Sequence, residues 1–201
     1  MIELVVASAN PNKSAEIAAI LKNAVGDSFT LLSRPPEVPD VEETGVTLEE
    51  NAILKADALV VATGKPAIAD DTGLEVAALG GAPGVYSARY AGEDATYLQN
   101  VEKLVVELGS TTDRQARFRT VAVAKFPDGT QILTDGSIDG SIAFEPRGTN
   151  GFGYDAVFVP DGGGGLTFAE MTPEQKDSMS HRGRAFRSLA QMLLETCGEQ
   201  S

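Results

Sequence analysis

A chain of 201 residues with 42% hydrophobic and 22% charged side chains can bury roughly 70% of its unfolded surface. This composition excludes a disordered chain and a small scaffold that needs disulfides or a metal to fold. The 16 Lys and Arg against 29 Asp and Glu leave a net charge of −13, which excludes nucleic-acid binding through a broad basic face. A small anionic ligand therefore needs its cations concentrated locally.

No apolar run approaches the roughly 18 residues of a membrane span. The single Cys197 has no partner for an internal disulfide and lies near the end of the last predicted helix. Ala7-Ser8-Ala9 has the small residues of a signal cleavage site, but Glu3 interrupts the apolar run and no basic segment precedes it. The expectation is a cytoplasmic protein in a reducing compartment, with no membrane or nucleic-acid partner.

Along the chain, Ile2 to Ala7 reads as a buried strand. Asn10 is a good N-cap and Pro11 suits the first turn of a helix carrying Ile17, Ile20 and Leu21. A strand at Phe29 to Leu32 leads into a polar, Pro-rich loop, Pro35 to Gly45. Thr47-Leu48-Glu49-Glu50 has capping-box spacing and opens a helix to about Thr63. Ala67 to Ala69 reads as a strand ending in an acidic strand-to-loop turn, Asp70-Asp71-Thr72-Gly73, and a helix is predicted from about Ala95 to Leu108.

The middle changes character. Ala116 to Phe126, Gln131 to Thr134, Ser137 to Ala143 and Tyr154 to Val159 read as strands, with Pro127-Asp128-Gly129 as a turn. Thr172-Pro173-Glu174-Gln175 is a second capping box, and a last helix runs from about Ser180 to Thr196. Helices interleaved with strands, then β-hairpins, indicate an α/β fold around a mixed, twisted sheet flanked by helices. One domain over 1–201 is expected, with an antiparallel second lobe within about 80–160 and a ligand cleft between the lobes.

Four segments carry possible chemistry, each with a plain structural alternative. Ser8 to Lys13 joins a strand to a helix N-terminus, where free amides and Lys13 favour a phosphate; alternatively it is an ordinary capped helix with an exposed lysine. Asp70 and Asp71, with Glu42 and Glu43 in the polar loop, suit a hard cation such as Mg²⁺; alternatively they are acidic turns. Asn51 and Lys55 share a helix face. Gly148 to Asp155 places three glycines around Phe152, which suits stacking on a base; the alternative is a β-bulge with a core aromatic. Lys176 and the only histidine, His181, beside Arg182, offer donors to carbonyl oxygens; a lone histidine is more often structural.

Together these segments resemble the inosine triphosphate pyrophosphatase family. The resemblance is carried by SANPNK at 8–13, EETGVTLEENAILKA at 42–56, AIADDTGLEV at 67–76, GGAPGVYSARYAG at 80–92, GTNGFGYDAVF at 148–158 and SHRGRA at 180–185. It spans nearly the whole chain in the family's order.

The resemblance implies hydrolysis of ITP, dITP and XTP to the monophosphate and pyrophosphate, with Mg²⁺, by a homodimer of elongated, two-lobed α/β subunits with the active-site cleft between the lobes. It implies that Ser8, Ala9, Asn10, Pro11, Asn12 and Lys13 bind the triphosphate, with Ala9 where the family usually has glycine. Asp71 then corresponds to the proton acceptor and metal contact, Glu43 to the second metal-associated acid and Lys55 to a lysine at the phosphates. Thr72 corresponds to a substrate-contacting hydroxyl. Phe152, Gly153, Tyr154, Asp155, Lys176, His181 and Arg182 match the base and sugar pocket, and Asn150 stands where glycine is usual. A phosphatase releasing orthophosphate and a non-catalytic nucleotide-binding regulator are the alternatives to test.

Overall fold

The computed structural model describes residues 2–8 and 10–198; Ala9 of the expected phosphate loop and the side chain of Cys197 lie outside the described residues. Strands β1 (Ile2–Val6), β2 (Phe29–Ser33) and β3 (Ala67–Val76) alternate with helices α1 (Pro11–Val25) and α2 (Leu48–Thr63). β1 pairs in parallel with β2, Ile2 opposite Phe29, and with β3, Val5 opposite Ala67. There follow β4 (Pro83–Gly84), α3 (Tyr97–Leu108), β5 (Gln115–Lys125), β6 (Gln131–Ile142), β7 (Phe158–Pro160), α4 (Pro173–Met179) and α5 (His181–Gly198). The sheet order is β2-β1-β3-β5-β6-β7, with β4 antiparallel on β3 and β7 antiparallel on β6. This is the mixed α/β sheet expected. Among the described residues no helix is long and apolar enough to cross a membrane.

The helix starts follow from local chemistry. The Asn10 side chain accepts from the backbone N–H groups of Asn12 and Lys13, and Pro11 opens α1. Thr47 accepts from Glu50 N–H, but the Glu50 carboxylate reaches past the cap to Val46 N–H, 2.7 Å away. The predicted box is thus half formed there, whereas that of Thr172 and Gln175 is complete.

The chain forms two compact units: Met1–Asp71, Thr120–Gly136 and Arg182–Ser201 in the first, Thr72–Arg119 and Ser137–His181 in the second. In the first, Leu4 and Val6 of β1 pack with Ile17, Ile20 and Leu21 of α1 and with Phe186, Leu189 and Leu193 of α5. Val5 points the other way and packs with Leu59 of α2, Val38 and Ala67, because successive strand residues face opposite sides. The second unit has its own core, from Leu74 and Val76 through Leu104 and Phe118 to Tyr154, Phe158 and Phe168.

Four local expectations are corrected. The strand at Ala67 runs on through Asp70, Asp71 and Thr72 to Val76, so the acidic pair sits within a strand rather than in a turn. Compensating cations, described below, make that possible. Gln131 to Thr134 and Ser137 to Ala143 are one strand, β6, ending at Ile142: residues 132, 136, 138, 140 and 142 are all buried, so the alternation passes unbroken through Asp135-Gly136. Of the strand expected at Tyr154 to Val159, only Phe158 and Val159 are extended, in β7. Val157 and Phe158 both donate backbone N–H to Tyr154 C=O, which curls the chain into a turn. Residues 148–153 form turns and bends rather than a β-bulge.

Candidate active site

In the order β2-β1-β3 the connections leave β1 in opposite directions, through α1 to β2 and then through α2 to β3 on its other side. Such a switch point, outside the C-terminal ends of parallel strands, is where open α/β sheets bind ligands. Here β1 runs out into Ser8 to Lys13, and β3 passes its pairing with β1 at Ile68 and continues into Asp70 and Asp71. The two acidic residues and the helix N-terminus therefore meet in the first unit by topology.

Asp70 and Asp71 are adjacent in a strand and serve different partners. Asp70 Oδ2 lies 3.5 Å from Lys13 Nζ and 3.3 Å from Arg182 Nη2, and Arg182 Nη1 bonds Glu16 Oε2 at 2.6 Å. Burial pushes the Asp70 carboxyl upward, but Lys13 and Arg182 outweigh it and hold it at about 2. Lys13 is half-buried against Asp70 and shifted down, chiefly by burial, so it is not the fully solvated lysine of an ordinary capped helix. Pro11 and Asn12 are exposed at the start of α1, while Ser8 Oγ accepts from Asn10 N–H at 3.2 Å.

A test of the Asp70 set follows from its depressed value. Its contribution to stability is present above the ordinary carboxyl value of 3.8 and is lost as pH falls through about 2, a span on the order of 2 kcal/mol. The advantage of the native protein over Asp70→Asn in urea unfolding should shrink steadily from pH 5 to pH 2. A constant advantage would contradict the ion pairing.

Asp71 Oδ1 lies 2.8 Å from Lys55 Nζ, which also meets Glu43 Oε1 at 2.9 Å. Asp71 Oδ2 accepts from Asn51 Nδ2 at 3.3 Å, so Asn51 and Lys55, one turn apart, both reach it. Burial raises the Asp71 carboxyl and Glu43 adds to the rise, against Lys55. Burial alone would lower Lys55, but Asp71 and Glu43 raise it, keeping it protonated. Three cations (Lys13, Lys55, Arg182) thus face four carboxylates (Glu16, Glu43, Asp70, Asp71).

That excess of negative charge, with two carboxylates converging, fits Mg²⁺, which takes one or two carboxylates and completes its shell with water and phosphate. Among the described residues no group of three or more His, Cys, Asp or Glu is placed to hold a metal ion by itself.

The second unit holds the aromatic and amide groups. Asp155 Oδ2 accepts from Phe152 N–H at 2.8 Å and from Lys176 Nζ at 2.7 Å. Gly151 has φ +73°, and a Cβ there would lie 2.1 Å from Asp155 Oδ2, so glycine is required for this closure. Lys176 Nζ also sits 5.0 Å from the Phe152 ring centre, and Tyr97 packs on Phe152 at 6.0 Å. Asn150 Nδ2 donates to Met171 C=O at 2.8 Å, a tether that a glycine there would lack.

Tyr154 is buried with its hydroxyl on Ser87 C=O at 2.9 Å, as a core residue would be. His181 is 2% exposed and stacks on Phe118, centroids 4.4 Å apart and planes 14° apart. Gly153 and Thr72 are half-buried.

The structure therefore brings Lys13, Asp70 and Arg182 into one set of ion pairs, Glu43, Lys55 and Asp71 into a second beside it, and Phe152, Asp155 and Lys176 into a third. It separates neighbours in sequence: His181 stacks within the second unit, while Arg182 ion-pairs within the first. Sequence reasoning missed Glu16, Phe118 and Tyr97 altogether. Glu16 follows Lys13 on α1 at the three-residue spacing that shares a helix face, a usable signal; the two aromatics gave none.

The fold defines an α/β enzyme in which carboxylates and lysines gather at a sheet switch point. The chain belongs to the Ham1 family, whose model matches residues 4–192. The dITP/XTP pyrophosphatase of Streptomyces avermitilis is 45% identical over 202 residues, covering 98% of this chain and 100% of that protein. That of Synechococcus sp. is 50% identical over 188 residues, covering 92% and 87%. Among solved structures, a Ham1 protein from Coxiella burnetii superposes with a TM-score of 0.86 at 41% identity, over 97% of this chain and 100% of that one.

Proposed function

We propose that this protein hydrolyses the non-standard purine nucleoside triphosphates ITP, dITP and XTP to the monophosphate and pyrophosphate, clearing deaminated purines from the nucleotide pool. The observation that carries the reading is the pair of carboxylates, half-buried Glu43 and buried Asp71, converging on Lys55 at 2.9 and 2.8 Å. The names of the Streptomyces and Synechococcus relatives support the substrate class. Assembly as a homodimer, implied by the family resemblance, and a cytoplasmic location, expected from the sequence, go with it.

Phosphate chemistry falls to residues of the first unit. Glu43 and Asp71 would hold Mg²⁺, which when bound neutralises the triphosphate and polarises the attacked phosphoryl group. Asp71, its carboxyl raised by burial, accepts a proton from the attacking water. The water oxygen bonds to the α-phosphorus, the bridge to the β-phosphate breaks, and the pyrophosphate leaves with the electron pair. Lys13 and Lys55 stabilise that leaving charge, with the amides at the start of α1 and the Ser8 and Asn10 side chains orienting the phosphates.

Base recognition falls to residues of the second unit. Phe152 supplies a stacking face, and Lys176, His181 and the Gly151 and Gly153 amides supply donors. Hypoxanthine and xanthine carry an acceptor, O6, where adenine carries an amino donor, so a donor-lined pocket rejects adenine. Phe152→Ala should raise the KM for ITP about tenfold, since base–aromatic stacking is worth roughly 1–3 kcal/mol, and leave kcat within a few fold. A lowered kcat at constant KM would remove Phe152 from binding.

The attack is tested by hydrolysis in ¹⁸O-water. The label should appear in the monophosphate alone; label in the pyrophosphate would place the attack on the β-phosphorus.

A further inference from the structure

The loop that carries Glu43 has no regular structure of its own, yet Glu43 must meet Asp71, which belongs to a strand 28 positions further along the chain. Asn51 supplies the link. It is fully buried, and the two ends of its amide serve the two elements. Its Oδ1 accepts the Gly45 backbone N–H at 2.8 Å, and its Nδ2 donates to Asp71 Oδ2 at 3.3 Å. The amide has one productive orientation here, because a backbone N–H only donates and a carboxylate only accepts.

Gly45 is matched to this contact. A Cβ at that position would lie 2.6 Å from Asn51 Oδ1 and 2.6 Å from Glu50 Cβ, so any larger residue pushes the loop off the helix. Lys55 joins the same two elements, but through Glu43 Oε1 and Asp71 Oδ1. Its hold is electrostatic and must be shared once a cation and an anionic substrate arrive. Asn51 uses Gly45 N–H and Asp71 Oδ2 instead, atoms that Lys55 leaves alone, so its bonds persist when the lysine's partners change.

We infer that Asn51 is a positioning residue that braces the Glu43 loop against Asp71, so that both carboxylates are presented together to a divalent cation. The inference rests on the metal reading above. Residues that orient metal ligands in this way typically contribute 10–100-fold to metal affinity.

The experiment measures Mn²⁺ binding to the substrate-free protein by electron paramagnetic resonance, alongside the Mg²⁺ concentration that gives half-maximal ITP turnover. Asn51→Leu keeps the branched outline of the side chain and removes both bonds. It should weaken Mn²⁺ binding at least tenfold and raise the Mg²⁺ requirement by a similar factor, with activity recovering as Mg²⁺ is raised. A folded Asn51→Leu protein with native Mn²⁺ affinity overturns the inference.

If that variant does not fold, Gly45→Ala decides, because it displaces the loop while leaving Asn51 and both acids intact. It should weaken Mn²⁺ binding several-fold, and unchanged affinity overturns the brace. Glu43→Gln and Asp71→Asn run in parallel: if neither lowers Mn²⁺ affinity, the metal reading itself fails and the inference falls with it.

Discussion

Asp71→Asn is expected to lower ITP turnover by at least about 10³-fold while leaving the protein folded and able to bind nucleotide. The substitution keeps the shape and one acceptor oxygen of a side chain whose two carboxylate oxygens meet Lys55 and Asn51. It removes the charge that pairs with a cation and the group that takes the proton. Stability should change little, because burial and the nearby Glu43 already disfavour the ionised form, and Lys55 retains Glu43 as a partner. Circular dichroism and ITP binding by calorimetry supply the controls. Native turnover in this variant would remove Asp71 from the chemistry.

The second large effect is on stability. Arg182 is 2% exposed and bridges Asp70 and Glu16. Removing one partner from a buried ion pair leaves its counter-charge uncompensated and costs about 3–5 kcal/mol. Arg182→Ala should therefore lower Tm by about 10 °C in a chain of this size, measured by differential scanning calorimetry.

The family resemblance gives Arg182 a part in the base pocket, and the same variant separates the two roles. A lowered Tm with the preference for ITP over ATP retained makes the guanidinium a structural tie for Asp70 and thereby for Lys13. An unchanged Tm with a loosened preference makes it a reader of the base.

What the sequence disclosed, and what it hid, divides along physical lines. Helix starts were legible because capping is local: Asn10 with Pro11, and Thr172 with Gln175, need only their next few residues. The parallel β–α–β order was legible from the alternation of short apolar runs and helical spacings.

The true course of β3 was not. Two carboxylates inside a strand look like its end, and only Lys13, Lys55 and Arg182, brought from distant positions, make their burial tolerable. Asp135-Gly136 likewise has turn composition, yet Asp135 takes an outward position on β6 and the strand continues.

The candidate site was legible as a set of residue types but not as a set of partnerships. Ser8 to Lys13, Glu43, Lys55 and Asp71 could be named because each lies in a short segment with its own chemical character. Nothing local says that Lys55 serves both Glu43 and Asp71, or that Lys13 takes Asp70 instead. The phase of β3 decides that, by turning adjacent aspartates to different partners. His181 and Arg182 part for a similar reason. Side chains one residue apart at the start of a helix point about 100° from each other, so neighbours in sequence take different partners. Phe118, against which the imidazole stacks, reads in the sequence as one more strand aromatic.

The measurement that bears most directly on the central claim is a product-resolved assay of the purified protein with ITP, XTP, GTP and ATP, each with and without Mg²⁺. Mg²⁺-dependent release of pyrophosphate and monophosphate from ITP and XTP, with little turnover of GTP or ATP, is the predicted result. Orthophosphate as the first product, or comparable turnover of all four nucleotides, would contradict it.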